Sequence, residues 1–334
     1  MKKDFIKNKT LLEFLILCKN YSNDLIIKYT ISSLFSLVLL FISPGCSKDY
    51  NEEDQKVYEQ KEIIDYLEEN KINATPTASG LYIIRIDSGQ GLIVDSTDYV
   101  VIQYEARLIS GEIFSTSNPK IAIEKDIYSE FILYGPHKFA VWESIPGIIE
   151  GLLMMNEGDS VKLIIPSDLA FEGQGFGQIP PYTPLIYDIR LLEVIKDPVK
   201  HENELIRDYF SKNNIYNESL LTTSSGLYYI ESVEGKGVYP RSGDTLNIHY
   251  QATLLDGREI ESTYGNGPFS FIFKEDGLIE GFEEGIGLMH EGGTATLIIP
   301  YYLAHGAEGR SPSGQKEVPP YSTIVVHVEL ISVN

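Results

Sequence analysis

The feature of this sequence that most constrains its fold is a segment that occurs twice. LIIPSDLAFEGQGFGQIPPY, at residues 163–182, returns as LIIPYYLAHGAEGRSPSGQKEVPPY at residues 297–321. The repeat extends upstream, because SGLYIIRIDSGQG at residues 79–91 matches SGLYYIESVEGKG at residues 225–237. Two units are too few for a solenoid, whose repeats need stacked neighbours to bury their apolar faces. We therefore predict two domains, each with its own core.

The spacing between matching segments changes along the chain, and this change locates two insertions. Matching residues lie 146 positions apart up to residue 117, 134 apart at residues 148–166, and 139 apart after the doubled segment. The first unit therefore carries about twelve additional residues within residues 117–143. The second unit carries five additional residues in its last long loop.

Both units show the pattern of strands around one short helix. YVVIQYEARL and TLNIHYQATL alternate apolar and polar residues, which is typical of half-buried β-strands. IPGIIEGLLMM and its counterpart IEGFEEGIGLM have helical spacing, and Phe282, Ile286 and Met289 fall on one face. A further helical pattern precedes each unit, at residues 60–71 and 202–213, and each is expected to dock on the unit that follows it. The predicted fold class is α+β.

The N-terminal segment has the features of a secretory signal. A basic start is followed by the uncharged apolar run ISSLFSLVLLFIS at residues 31–43, which is too short to cross a bilayer. The run ends in FISPGC, which resembles a bacterial lipobox in which Cys46 receives lipid. An ordinary signal peptide with an incidental cysteine is the alternative. We therefore expect an outer-membrane lipoprotein of the bacterial cell envelope, attached to the membrane through Cys46 and facing the periplasm or the cell surface.

These observations divide the chain into four parts. We expect a lipoprotein signal peptide at residues 1–45, an acidic tether and helix at residues 46–75, domain 1 at residues 76–197 and domain 2 at residues 198–334. The tether begins SKDYNEEDQ and is similar to that of Bacteroidetes surface lipoproteins. The helices before the two units are too short for the sustained heptads of a coiled coil, so a monomer is expected.

Charge and cysteine content exclude several classes of function. Residues 46–334 contain 21 Lys and Arg against 45 Asp and Glu, a net charge of −24. Such a surface repels the phosphates of nucleic acids, so no nucleic-acid partner is expected. One of the two cysteines lies in the signal segment, so no disulfide is expected within the mature protein. The sequence has no cysteine and histidine cluster at metal-ligand spacing, and we predict neither a metal nor a cofactor.

The order of the motifs resembles that of the FKBP-type peptidyl-prolyl cis-trans isomerases, and it does so twice. Residues 245–334 contain IHY, LLDGREIEST, PFSFIF, LIEGFEEGIGLM, LIIPYYLAHGAEG and VPPYSTIVVHVEL in the family's order. Residues 99–194 contain the corresponding series, from IQY to IPPYTPLIYDIRLLEV. The resemblance implies two FKBP-like domains, each an antiparallel sheet of about five strands wrapped around a short α-helix. It also implies an apolar pocket between sheet and helix.

Matching the family's motifs residue by residue gives two sets of pocket residues. In domain 2 the resemblance implies catalytic roles for Tyr250, Glu261, Phe269, Ile279, Phe282 and His305. It implies substrate-binding roles in domain 2 for Ile260, Leu278, Val318 and Val326. In domain 1 it implies substrate-binding roles for Tyr104, Phe114, Ile145, Phe171, Ile179 and Tyr187. Phe271 and Phe273 are expected to be core residues instead.

Domain 2 departs from the family's pattern at three places. Ile260 and Glu261 stand where Phe-Asp is usual, His305 replaces a tyrosine, and Val326 replaces a phenylalanine. Glu261 can still accept a hydrogen bond from the Tyr250 hydroxyl. The imidazole of His305 can donate like a phenol, and its charge is expected to vary near neutral pH.

Domain 1 departs further. Ser115 stands at the position of the carboxylate, and Ile148 stands at the position of the aromatic floor. Trp142, the one tryptophan of the chain, either fills the gap beside Ile148 or packs in the core. We therefore interpret domain 1 as a degenerate, inactive copy.

The sequence as a whole predicts a peptidyl-prolyl isomerase that acts mainly through domain 2. Its partners are expected to be proline-containing segments of envelope proteins, whose folding it assists. The alternative is a catalytically weak or inactive FKBP-like chaperone, or a binding module in an envelope complex. The two hypotheses differ at Glu261, His305 and Val326, since a pocket that misplaces its hydrogen bonds can still hold proline.

Overall fold

The secondary structure repeats the doubled pattern of the sequence. The computed structural model describes residues 51–216, 220–312 and 314–334, and the chain from Asn51 to Asn334 forms one compact unit. The signal segment and Cys46 lie outside the described residues. Within the described part of the chain, no helix is both long enough and apolar enough to cross a membrane.

Domain 1 contains an antiparallel sheet of six strands in the order β1-β5-β6-β2-β3, with β4 paired to β2. In β2 every second side chain is buried along most of the strand, as the alternation of its sequence predicts. A helix, α3, lies against β5. The elements are α1 (Glu52–Glu69), β1 (Tyr82–Asp87), β2 (Tyr99–Leu108), β3 (Ile113–Thr116), α2 (Pro119–Glu124), β4 (His137–Ala140), α3 (Pro146–Leu153), β5 (Ser160–Ile165) and β6 (Leu185–Ile195).

Domain 2 repeats this arrangement with seven strands in the order β10-β9-β13-β12-β8-β7, with β11 paired to β9. Both sheets contain more strands than the predicted five because short edge strands join the central ones. The prediction of two antiparallel sheets, each with a short helix, is confirmed. The elements are α4 (Pro198–Lys212), β7 (Leu221–Thr222), β8 (Tyr228–Val233), β9 (Thr245–Leu254), β10 (Glu259–Ser262), β11 (Phe269–Ile272), α5 (Glu280–Gly287), β12 (Thr294–Ile299) and β13 (Ile324–Val333).

Glycines allow α5 to lie close to its sheet. A Cβ atom added at Gly281 would lie 2.4 Å from Cγ2 of Ile299, and one added at Gly285 would lie 2.5 Å from Leu297. Such distances leave no room for a larger residue, and α3 has glycines with the same close approach in domain 1. The side chain of Phe282, between the two glycines, is therefore packed between helix and sheet and is 6 % exposed.

The helix before each domain docks on that domain, as predicted. In α1, Ile63 is fully buried against the sheet of domain 1, and the Glu59 carboxylate accepts a hydrogen bond of 2.7 Å from Ser167 Oγ. In α4, the Glu202 carboxylate accepts a hydrogen bond of 2.6 Å from the Thr323 N–H of domain 2. Buried carboxylates with such partners fix where each helix lies on its domain.

The two insertions that interrupt the repeat meet between the domains. Leu133, in the insertion of domain 1, is 6 % exposed and packs with the buried core residues of domain 2. Residues 131–133 of this insertion line one cavity of about 350 Å³ together with Gly314, Gln315 and Glu317 of the long loop of domain 2. The insertions therefore provide contacts between the two copies.

Polar groups at the same boundary are paired. Nζ of Lys138 donates to the Tyr321 carbonyl at 3.1 Å and lies 3.6 Å from the Glu202 carboxylate. Arg258 donates from Nη1 to the Pro136 carbonyl at 2.7 Å. Burial lowers the pKa of Lys138, and the Glu202 carboxylate opposes this shift. A buried cation of this kind is stable only with its partners in place, so these contacts hold the two domains in one arrangement.

Candidate active site

A cavity of about 290 Å³ lies in domain 2 between β9, β10, β11, α5 and the residues that follow β12. Nine of the ten residues predicted for this pocket line it. They are Tyr250, Ile260, Glu261, Phe269, Leu278, Ile279, Phe282, His305 and Val326. The cavity is open, because no side chain of the described residues fills it.

Aromatic rings on three elements form the apolar part of this cavity. The ring centroid of Tyr250, on β9, lies 5.6 Å from that of Phe282 on α5 and 6.0 Å from that of Phe269 on β11. Phe271 and Phe273 are 3 % and 2 % exposed and lie outside the lining, so the prediction that they are core residues is confirmed. Rings at these distances form a rigid wall that excludes water from the space between them.

The polar side of the cavity centres on Glu261. Glu261 lines the cavity beside Tyr250, and its carboxylate interacts with the Tyr250 hydroxyl. Burial first, and then Glu261, raise the pKa of Tyr250 well above its ordinary value. The phenol therefore stays protonated. Ile279, which also lines the cavity, is the N-cap of α5, so its N–H has no partner within the helix.

His305 is neutral at physiological pH, which differs from the expectation that its charge varies there. Burial lowers the pKa of the imidazole to about 4, and the positive charge of Arg310 acts in the same direction, while Glu261 opposes it. A neutral imidazole has one N–H donor and one acceptor nitrogen. His305 can therefore donate one hydrogen bond into the cavity without bringing a charge.

The sequence analysis did not identify Arg310 or Gln315, which also line the cavity. Both lie in the long loop of domain 2, which carries the five additional residues. Arg310 Nε is buried and has no hydrogen-bond partner among the described residues. The backbone of Arg310 pairs with that of Val318 through hydrogen bonds of 2.8 and 2.7 Å, and this bridge closes the loop. The unusual length of the loop was the one sequence signal that could have pointed to it.

Val318 is the predicted pocket residue that does not line the cavity of domain 2. It is 2 % exposed and lines a second cavity, of about 700 Å³, together with the pocket residues of domain 1. The reason is that the Arg310–Val318 bridge turns this part of the loop toward domain 1. All six residues predicted for the pocket of domain 1 line this second cavity, namely Tyr104, Phe114, Ile145, Phe171, Ile179 and Tyr187.

The cavity of domain 1 lacks the carboxylate. The Tyr104 hydroxyl lies 3.0 Å from Oγ of Ser115, which takes the place that Glu261 has in domain 2. Ile148 is 4 % exposed and lines the floor. Both alternatives for Trp142 are wrong. Its side chain is 50 % exposed and lies outside the cavity lining, with its ring 5.2 Å from that of Tyr99.

Among the described residues, no group of three or more His, Cys, Asp or Glu side chains could hold a metal ion. The site instead consists of an apolar hollow with a few polar groups at its edge, which is suited to holding and distorting a ligand without covalent chemistry.

The fold and the pocket define a class of protein, and comparison with known families gives the same answer. The model of the family described as FKBP-type peptidyl-prolyl cis-trans isomerase matches residues 92–192 and 237–331, together more than half of the chain. The chain therefore belongs to this family and carries its domain twice.

Known relatives match parts of the chain. FKBP-type peptidyl-prolyl cis-trans isomerase FkpA of Escherichia coli (strain K12) is 38% identical over 128 residues, which is 38% of this chain and 43% of FkpA. Peptidyl-prolyl cis-trans isomerase FKBP9 of Rattus norvegicus is 27% identical over 242 residues, 71% of this chain and 35% of that protein. The chain thus spans less than half of the length of these relatives.

Two solved structures also match parts of the chain. The crystal structure of FkpA from Escherichia coli is 34% identical with a TM-score of 0.35, covering 41% of this chain and 61% of that one. The structure of the three FKBP domains of wheat FKBP73 is 22% identical with a TM-score of 0.32, covering 77% and 96%.

Proposed function

We propose that domain 2 catalyses peptidyl-prolyl cis-trans isomerisation. The observation that carries this proposal is the open aromatic cavity of about 290 Å³, with the Tyr250 hydroxyl and the Glu261 carboxylate beside each other in its lining. A prolyl ring is apolar and compact, and such a hollow accepts it while the polar groups hold the flanking carbonyls.

The physical task is to lower the barrier to rotation about one amide bond. That barrier is about 18–20 kcal/mol, because resonance keeps the bond planar. Lowering it by about 6 kcal/mol gives a rate enhancement of roughly 10⁴. The planar amide has more charge separation than the twisted one, so a water-poor cavity favours the twisted form. Donors such as the His305 imidazole and the Ile279 N–H then orient the substrate without proton transfer.

Domain 1 is proposed to bind polypeptide without catalysing isomerisation. Ser115 cannot provide the charge of a carboxylate, and Ile148 cannot provide an aromatic floor. The walls of its cavity nevertheless remain aromatic, and its volume is more than twice that of the cavity in domain 2. This larger cavity supports a second function for the protein, that of a holding chaperone or binding module for unfolded segments.

The site of action is proposed to be the bacterial cell envelope. The basic start, the apolar run and the cysteine at residue 46 support secretion and lipid attachment. Proline-containing segments of envelope proteins are then the proposed substrates, and assistance to their folding is the proposed role. Metabolic labelling with a lipid precursor tests the anchor, because Cys46→Ser should abolish both labelling and membrane association.

Isomerase activity can be measured directly on the two-domain unit, residues 51–334. A protease-coupled assay with a Leu-Pro peptide should show a rate well above the uncatalysed one. A folded protein with no measurable acceleration would overturn the catalytic proposal and leave the binding function.

A further inference from the structure

The cavity of about 700 Å³ beside domain 1 is built from both domains. Domain 1 provides its aromatic walls, and the long loop of domain 2 provides the opposite side. The residues of domain 2 that line it are Glu308, Arg310, Ser311, Glu317, Val318, Pro319 and Pro320. An isolated domain 1 would therefore lack this side of the cavity, and the complete cavity exists only when the two domains are together.

The loop of domain 2 is held in this position by paired polar groups. The imidazole Nδ1 of His137, in domain 1, lies 3.0 Å from a carboxylate oxygen of Glu317. Tyr99 of domain 1 and Tyr321 of domain 2 meet edge to face with their ring centroids 5.4 Å apart. Lys138 of domain 1 adds its contacts with the Tyr321 carbonyl and the Glu202 carboxylate of domain 2. The wall provided by domain 2 is therefore a fixed part of the cavity.

Two carboxylates in the cavity lining lack a cationic partner. Glu143 comes from domain 1 and Glu308 from domain 2, and neither forms an ion pair with any of the described residues. Burial raises the pKa of Glu143, the Ala140 N–H opposes this shift, and the nearby Glu308 carboxylate adds to it. Lys138 is already paired with Glu202. The lining therefore has negative charge that a ligand can neutralise.

Arg310 does not remove this negative charge. It lines both cavities, and its charge acts on Tyr250 and His305 in the cavity of domain 2. No ion pair joins it to Glu143 or Glu308 within the described chain. A positively charged group of a ligand would thus find two acceptors on one edge of the cavity, with aromatic walls beside them.

We propose that this cavity is a second polypeptide-binding site, formed jointly by the two domains, which takes an extended apolar segment carrying a lysine or arginine. The volume falls in the range of about 300–1,000 Å³ that is typical of ligand sites, so it holds more than one side chain. Apolar side chains contact the aromatic walls, and the basic side chain lies between Glu143 and Glu308. The site does not depend on catalysis by domain 2.

The test compares two peptides that differ in one charge. Each contains two leucines, one proline and one further residue, which is arginine in the first peptide and its neutral isostere citrulline in the second. Calorimetric titration of the unit of residues 51–334 should give about tenfold tighter binding of the arginine peptide, since one guanidinium can pair with two carboxylates. In the double variant Glu143→Gln with Glu308→Gln, the two peptides should bind with equal affinity.

A matched control and a local probe place the peptide. Glu112→Gln removes one exposed carboxylate of domain 1 outside the cavity, and it should keep the tenfold preference. Trp142 is the single tryptophan and is next to Glu143 in sequence, so its fluorescence should change on titration. Circular dichroism checks that each variant is folded.

Three outcomes would overturn the proposal. The first is equal affinity of the arginine and citrulline peptides for the unmodified protein. The second is a preference for the arginine peptide in the double variant, Glu143→Gln with Glu308→Gln, as large as the preference in the control variant Glu112→Gln. The third is loss of the preference for the arginine peptide in Phe282→Ala. This variant alters only the cavity of domain 2, so such a loss would place the peptide there. Loss of isomerase activity alone in the same variant would leave this proposal standing.

Discussion

The two pockets of this protein agree in the residues that pack in the core and differ in the polar group beside the tyrosine and in the residue at the floor. Tyr104 and Tyr250 lie at the same place in the two sheets, but the first meets Ser115 and the second meets Glu261. The floor residues Ile148 and Phe282 are 4 % and 6 % exposed, so both fill the core equally well. A duplicated domain can thus lose its carboxylate and aromatic floor and keep its fold.

The comparison extends to the space around each pocket. The cavity of domain 2 is lined by residues of its own domain, whereas that of domain 1 borrows a wall from its neighbour. The difference follows from the insertions, because Leu133 in one copy and the long loop in the other pack across the boundary. One copy therefore provides part of the lining of the other copy's cavity.

The largest expected effect is that of Phe282→Ala. Removal of the ring should lower kcat/KM toward a Leu-Pro peptide by about 100-fold, because the floor of the cavity disappears. It should also reduce the free energy of unfolding by about 3–5 kcal/mol. Phe273→Ala is the matched control, since Phe273 is equally buried but lies outside the lining. Equal losses of activity in the two variants would show that the ring acts through stability alone.

A smaller effect is expected from Glu261→Gln. The amide oxygen can still accept a hydrogen bond from Tyr250 but carries no charge, so we expect about a tenfold loss of kcat/KM. Glu259→Gln, two residues earlier on β10 and outside the cavity, should stay within about twofold of the unmodified protein. The same peptide assay measures both. If Glu259→Gln lowered kcat/KM as much as Glu261→Gln, the loss would reflect surface charge in general and not a specific role of the Glu261 carboxylate.

The reverse exchange in domain 1 should produce a modest gain. In a background of Phe282→Ala, the changes Ser115→Glu and Ile148→Phe restore a carboxylate and an aromatic floor beside Tyr104. We expect about a fivefold increase of the residual kcat/KM, limited because no other residue of domain 1 has been adjusted. A folded variant with no gain would mean that the two copies differ by more than these two side chains.

The smallest expected effect is on pH dependence through His305. Its pKa is about 4 in the folded protein and near 6.5 in the unfolded chain, so only the unfolded chain takes up the proton between these values. The contribution of neutral His305 to the free energy of unfolding is therefore fully present above pH 6.5 and is lost as the pH falls toward 4. After allowance for solvent screening, unfolding by urea should show that His305→Gln loses less stability than the unmodified protein over this window, by on the order of 2 kcal/mol. Identical slopes for the two proteins would contradict the neutral state of His305.

Much of the site could be predicted because it lies on regular elements. Tyr250, Phe269 and Phe282 occur in short motifs on β9, β11 and α5 that match the pattern of the FKBP-type family, and it is this match that assigned them to the pocket; alternation and helical spacing add which face each side chain occupies. Arg310 and Val318 could not be placed in this way. They belong to a long loop, and loop conformation depends on contacts with distant residues rather than on local periodicity.

The sequence by itself determined the duplication, the fold class, the family and the aromatic residues of both pockets. Each of these is encoded locally, in side-chain periodicity and in motifs of a few residues. Tertiary structure alone decided that the two insertions meet, that one loop lines two cavities and that His305 stays neutral. The physical reason is that burial and long-range pairing arise only when segments far apart in the chain exclude water from each other.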